Sequence, residues 1–340
     1  MKKNILILKN DRAGDLFTSL KLISTLANNS SKLTIYLSEL NIGFKFLFKN
    51  FLTKEINFNL NFIDKLKIFC DILLNNYDEV YIITPKSFYY YLPIFFRKIK
   101  FYAIVYDSKK RFRPNNFLRK FLFKFEIIYR NRLNRLSYRD AQLKLIDDNF
   151  DVDENCRNLT IPDLNLNQKN LITDEYVFFQ FRQRFFDDLN WGIEEFKKII
   201  NLLNSKYKNV LFSSDIEKNE RTFFYNNFFE KSFSIINFNK STKSLINNKN
   251  IFYLKDLDAL NLFFIIKHSK LSVTKDGVVS HISYFLNKKC YNLFNFKINT
   301  LSDYNHEKIS YSEWYKGMNF KFSFLNTDID KAIRKISKNI

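Results

Sequence analysis

At 340 residues the chain is too long for one ordinary core and reads as two domains, and an apolar share of 46% excludes intrinsic disorder. The formal charge of +20 points to an acidic partner, whether nucleic acid, an anionic membrane surface or a phosphorylated substrate. Three scattered cysteines, Cys70, Cys156 and Cys290, offer neither a metal spacing nor a disulfide framework, which suits a reducing cytoplasm.

The skew toward Lys, Asn, Ile and Phe reads as the mutational bias of an AT-rich genome. Only five glycines remain, so Gly14 and Gly277 mark backbone positions that other residues resist. No stretch reaches the roughly 18 apolar residues of a spanning helix. Lys2-Lys3 runs straight into a strand, unlike a secretory signal.

Ile5–Lys9 is a short buried strand, followed by the polar loop Asn10-Asp11-Arg12-Ala13-Gly14-Asp15. A helix follows, with Leu16, Leu20, Ile23 and Leu26 on one face. Asp15 stands at the helix start, where a carboxylate either caps free N–H groups or serves chemistry. Gly14 before it would let a ligand approach the backbone. Strands at 33–37, 79–84 and 101–106 alternate with helices at 63–74 and 88–96, which predicts a doubly wound parallel sheet.

Between Arg97 and Arg135 thirteen bases face two acids, with aromatic residues interleaved. The segment is either a solvated face on helices or a patch that lies on anionic lipid, and it carries no nucleic-acid recognition motif. The polar stretch 151–175, with Pro162, reads as the place where the halves join. This divides the chain into a first domain at 1–160, a linker at 161–175, a second domain at 176–325 and a final helix at 326–340.

The second half repeats the alternation. Strands are predicted at 176–181, 209–213, 234–238 and 251–254, and helices at 193–203, 217–228 and 257–268. Leu271–Thr274 is then a buried strand, Lys275-Asp276-Gly277 a turn, 278–286 a helix and Cys290–Phe294 a strand. A turn at the carboxyl end of a parallel strand is where open α/β sheets bind ligands, because helix N–H groups there favour phosphate. The plainer reading makes Asp276 and Gly277 turn formers, Ser280 an exposed helix position and His281 a core histidine. A last amphipathic helix spans 327–336, with Thr327 as N-cap. The Asp-x-Asp triplets 151/153, 256/258 and 328/330 lack apolar flanks at a strand end, so no metal site is assigned.

ILILKNDRAGDLFTSLKLISTL resembles the opening of the ADP-heptose:lipopolysaccharide heptosyltransferases, glycosyltransferase family 9, and DGVVSHISYFLNKKCYNLF resembles that family's C-terminal signature. WGIEEFKKIINLL, NVLFSSDIEKNE and FYLKDLDALNLFFIIKHSKLSVT are similar to segments between them, so the resemblance covers most of the chain. It implies the GT-B fold, two Rossmann-like domains facing across a cleft, with the final helix returning to the N-terminal domain.

The implied activity is bacterial: an inverting, metal-independent sugar transfer without a cofactor, from a nucleotide diphosphate sugar (ADP-heptose being one candidate) to a lipopolysaccharide or other lipid-linked glycan. On that resemblance Asp15 is the general base, with Arg12 and Gly14 in the loop near the acceptor. Gly277, Val278, Val279 and Ser280 cradle the diphosphate, Asp276 and His281 contact the donor, and Glu217 is the candidate for the nucleotide base or ribose. The protein would be cytoplasmic and peripheral on the inner membrane, held through Arg97–Arg135, with no nucleic acid bound.

Two positions depart from the family. Gly277-Val278 stands where Ser or Thr and then Gly is usual, and Asp187-Asp188-Leu189-Asn190 precedes Trp191 where a phosphate-binding Lys is usual. Arg182 and Arg184 either replace that cation or belong to the surface charge. The departures leave open a lapsed relative that binds glycan or membrane without turnover, and the charge leaves open a basic nucleic-acid binder.

Overall fold

The computed structural model describes residues 2–107, 112–129, 137–146, 149–163, 171–172, 174–214, 219–244, 250–275, 277–295, 320–325 and 328–340. The chain divides into two compact units, Met1–Pro162 with Ile309–Trp314, and Asp163–Lys308 with Tyr315–Ile340. Asp276 and Glu217 lie outside the described residues, as do parts of the basic segment, 108–111 and 130–135.

The first unit is built on a six-stranded sheet in the order β3-β2-β1-β4-β5-β6, every pair parallel. Its strands are β1 (Lys3–Leu8), β2 (Ser30–Ser38), β3 (Leu52–Ile56), β4 (Glu79–Ile82), β5 (Lys100–Asp107) and β6 (Lys124–Tyr129). The chain winds outward from β1 in one direction and then from β4 in the other, so the order reverses between β1 and β4. At such a reversal the loops leaving the strand ends part and open a crevice.

The central strands come from apolar runs that are buried, such as Ile5, Leu6, Ile7 and Leu8. The edges β3 (LTKEI) and β6 (KFEIIY) carry charges, as solvent-facing edges do. The sequence pattern predicts neither as a strand, and β6 places an extended edge inside the basic segment, one reading of which is a solvated face on helices.

Two predicted helices are broken. The one after the first loop divides into α1 (Ala13–Phe17) and α2 (Leu20–Asn28). Thr18 Oγ1 donates to the Asp15 carbonyl at 2.6 Å, a local bond that competes with the helical ladder. Next comes α3 (Phe62–Leu74), whose N-terminus Asn61 and Asp64 cap reciprocally. The helix predicted at 88–96 is a 3₁₀ turn, Ser87–Tyr90, then α4 (Leu92–Phe95), with Pro93 in its first turn. The short helices α5 (Asn116–Arg119) and α6 (Tyr138–Leu143) follow.

The stretch after α6 is held to α2. Ser24 Oγ donates to Asp153 Oδ2 at 2.5 Å, and Asp153 also accepts the Arg157 N–H at 2.7 Å.

The second unit carries eight strands in the order β10-β9-β11-β8-β7-β12-β13-β14, parallel except for β9 with β10. They are β7 (Tyr176–Gln180), β8 (Asn209–Ser213), β9 (Ser234–Asn237), β10 (Thr242–Ser244), β11 (Ile251–Lys255), β12 (Leu271–Lys275), β13 (Cys290–Asn295) and β14 (Phe320–Leu325). Here the order reverses between β7 and β12. The helices are α7 (Gln183–Asp188), α8 (Ile193–Lys206), α9 (Glu220–Ser232), α10 (Ala259–His268), α11 (Val278–Phe285) and α12 (Ile329–Asn339).

Trp191 is core, 4% exposed, with edge contacts to Phe185 and Phe186. Asp258 caps α10 by accepting from Asn261 N, and Asp328 rather than Thr327 caps α12 by accepting from Lys331 N. Both acids belong to Asp-x-Asp triplets, as does Asp153.

The final helix packs on the second unit's core through one face. Ala332 and Ile336 enter the core that α8 closes, and Lys198 pairs with Asp330. The four-residue spacing of those two apolar positions fixes that face.

Candidate functional site

In each unit the described candidate residues gather where the strand order reverses. In the first, the chain leaves β1 through Lys9, Asn10 and Asp11, all buried despite their polarity. A charge placed there must be paired, because burial without a partner costs several kcal/mol or more. Lys9 Nζ lies 2.7 Å from Asp11 Oδ2, donates to Tyr138 OH at 3.2 Å and sits 5.0 Å from that ring's centre. Tyr138 OH in turn donates to the Ile83 carbonyl, 2.7 Å away at the end of β4. Asn10 is clamped from both sides, accepting from Tyr89 OH at 2.7 Å and donating to the Asn57 carbonyl at 3.0 Å.

Asp11 is the unusual group of this cluster. Its pKa is raised from 3.8 to about 6, burial being the largest cause, with Lys9 pulling it down and the nearby carboxylate of Asp15 pushing it up. Thr84 is close enough to favour the ionised form, yet Oδ1 has no well-formed hydrogen bond among the described residues.

Asp15 is half-buried in the first turn of the five-residue α1. Arg12, at the N-cap, is exposed and contributes no side-chain cap, so Asp15 is the acid beside the free N–H groups of that turn. Gly14 lies next to it within the helix.

In the second unit β12 runs out at Lys275, and Gly277 is the N-cap of α11 with extended backbone, φ 163°. Neither conformation nor crowding compels a glycine here. A methyl group added at Gly277 would meet Arg182 Nη1 at 3.5 Å and the Lys275 carbonyl at 3.8 Å, both ordinary contacts. What stands out is the proximity itself, with the Arg182 guanidinium against the Gly277 turn.

Arg182 arrives from the neighbouring strand end, directly after β7, and the β7–β12 pairing brings the two together. Arg184, two residues on, is exposed on α7. Of the two arginines only Arg182 is placed at this turn.

The first-turn N–H groups of Val278, Val279 and Ser280 are those an α-helix leaves without an intrahelical partner. They are backbone donors, so a Val at position 278 does not remove one. The side chains divide differently. Val279 is fully buried, and Ser280 is turned into the sheet with its hydroxyl 3.0 Å from Asn292 Oδ1. The Ser280 hydroxyl is thus buried rather than at an exposed helix position. His281 is 8% exposed, and its backbone N–H donates to the Gly277 carbonyl at 3.3 Å.

Lys9, Asp11 and Tyr138 are the residues the sequence reading missed. A lysine closing an apolar strand two positions before an aspartate was the available signal for the first two. Tyr138 gave none.

No protein-family model and no curated protein matches the sequence. Solved structures do match in fold. A family 9 glycosyl transferase from Veillonella parvula is 12% identical with a TM-score of 0.64, covering 99% of this chain and 90% of that one. The E. coli heptosyltransferase WaaC with ADP is 15% identical at 0.61, covering 98% and 99%. The fold is GT-B. A UDP-GlcNAc 2-epimerase from Methanocaldococcus jannaschii also matches, 15% identical at 0.55 and covering 98% and 91%. One architecture therefore serves both sugar transfer and epimerisation, and the reaction has to be argued from the residues.

Proposed function

We propose that this protein is an inverting glycosyltransferase that moves a sugar from a nucleotide diphosphate donor to a lipid-linked glycan. The observation that carries the reading is the convergence of the Arg182 guanidinium with Gly277 at the open N-terminus of α11, where the strand order reverses. A diphosphate needs such a place, with a bidentate cation and free N–H donors aimed at one point.

In the proposed reaction an acceptor hydroxyl oxygen attacks the anomeric carbon of the donor sugar. The bond from that carbon to the diphosphate oxygen breaks, and the electron pair leaves with the diphosphate. Asp15 takes the hydroxyl proton, with the buried Lys9–Asp11 pair holding the loop from which α1 starts. Arg182 and the N–H groups of 277–280 offset the charge that develops on the leaving group, so the step as written takes no metal. Asp276 and His281 are assigned to the donor through the family signature, and Glu217 to its nucleoside.

The E. coli relatives of like fold were solved with ADP and with ADP-2-deoxy-2-fluoro heptose, which supports an ADP-sugar, with heptose first among candidates. The net charge of +20 and the basic segment support an acceptor held at an anionic membrane surface, bacterial and cytoplasmic-facing.

A thermal-shift screen of ADP-, GDP-, UDP- and dTDP-sugars tests the donor assignment. One donor should stabilise the protein, by about 2.7 kcal/mol at a hundred times its Kd. Silence from all four classes rejects the reading.

A further inference from the structure

A surface helix of an α/β layer turns its apolar stripe inward and its charges outward. α3 does so only in part, burying Ile68 and Ile72 in the core while leaving much of its apolar surface outside. Asp64 and Asp71 are buried, while Phe62, Ile63, Leu66, Leu73 and Leu74 are 77%, 60%, 52%, 60% and 76% exposed. The buried acids are satisfied. Asp64 accepts from Asn57 Nδ2 at 2.7 Å and from the helix-capping backbone, and Asp71 accepts from Tyr36 OH at 2.9 Å and Tyr77 OH at 3.2 Å and pairs with Lys54. The inner face of Asp64, Ile68, Asp71 and Ile72 is thus packed and paired, and a second apolar stripe faces out.

The stripe continues beyond the helix. Phe69 packs edge-on against Phe95 at 5.7 Å, and Phe95 is itself 66% exposed. Just beyond Phe96, Arg97 and Lys98 are exposed cations, and Arg97 lies 5.5 Å from the Phe121 ring centre. Lys67 is exposed on α3, and no acid occurs between Ser87 and Lys100. Apolar and aromatic side chains bordered by Lys and Arg form the pattern of a helix lying in the headgroup layer of an anionic bilayer. A second copy of the chain would bring like charges face to face, in a protein already at +20.

We propose that the outward face of α3, continued by Phe95 and bordered by Lys67, Arg97 and Lys98, is the surface that seats this protein on anionic lipid. The inference deepens the membrane part of the function proposed above and rests on it, while the donor site and Asp15 chemistry are independent of it. It moves the apolar contact from the basic segment to α3 and leaves the cations their electrostatic part.

The test is cosedimentation of the full chain with phosphatidylcholine vesicles, with and without about a third phosphatidylglycerol, comparing wild type with Leu66→Asn/Leu73→Asn. That pair changes no charge and alters only exposed side chains, and circular dichroism checks the fold. Wild type should bind the anionic vesicles, and the double variant should lose at least about tenfold in partitioning. A Leu66→Trp variant should show blue-shifted emission on those vesicles.

Equal binding by the double variant, with no shift from Trp, overturns the α3 assignment while leaving a membrane role to the basic segment. Absence of any vesicle binding overturns both. A wild-type dimer that the double variant converts to monomer, seen by light scattering, assigns the face to a second copy instead. Nucleotide-sugar binding measured on the same variants is expected to be unchanged, which separates this proposal from the donor assignment.

Discussion

Asp11→Asn removes a carboxyl group that the fold keeps at a disadvantage. Its pKa is raised from 3.8 to about 6, with burial the largest cause, a shift of roughly two units, or about 3 kcal/mol at 1.36 kcal/mol per unit. The sign follows from proton counting. Between these two values the native protein holds the proton and the unfolded chain has lost it, so stability falls as pH rises. The full penalty stands above about pH 6 and is absent below about pH 4. In the variant this slope is missing.

Lys9 loses its partner in Asp11→Asn, a cost that is constant while the lysine stays charged, so it displaces the difference curve without tilting it. Urea unfolding of both proteins at several values from about pH 4 to about pH 7.5 measures the difference. Wild type should lose about 3 kcal/mol relative to the variant across that range, most of it before pH 6. A flat difference, or wild type gaining with pH, would refute a buried carboxyl held in a desolvated site.

Arg182→Ala should weaken nucleotide-sugar binding by about 10- to 100-fold, the worth of charge-assisted hydrogen bonds to phosphate, whereas Arg184→Ala should change it less than about twofold. Isothermal titration separates the two, and equal effects would contradict the placement of Arg182 alone at the turn. Ser280→Ala removes a buried hydrogen bond to Asn292 and should cost about 1 to 3 kcal/mol of stability with donor affinity intact. A loss of affinity at unchanged Tm would return that hydroxyl to the ligand.

The parallel core strands were legible because burial on both faces writes them as unbroken apolar runs, as in Ile5–Leu8 or Tyr176–Phe179. β3 and β6 were not, because an edge strand needs charges that erase the same signal. Helix positions were legible within a few residues, but for α3 the periodicity could not say which face turns inward, since its acids share the helix with its leucines. Arg182 and Gly277 stood out singly, and only the β7–β12 neighbourhood, set by strand order, brings them together. The Lys9–Tyr138 contact joins residues 129 positions apart, and no local pattern encodes it.

The central claim is that Asp15 takes the proton in a transfer from a nucleotide sugar bound at Gly277 and Arg182. Release of nucleoside diphosphate in the presence of a lipid-linked acceptor, compared for wild type and Asp15→Ala with donor binding measured alongside, tests it most directly. The account predicts turnover by wild type, a fall of about 10²- to 10⁴-fold in the variant, and donor affinity retained by both. Equal turnover by the two proteins, or donor binding without turnover by either, would contradict it.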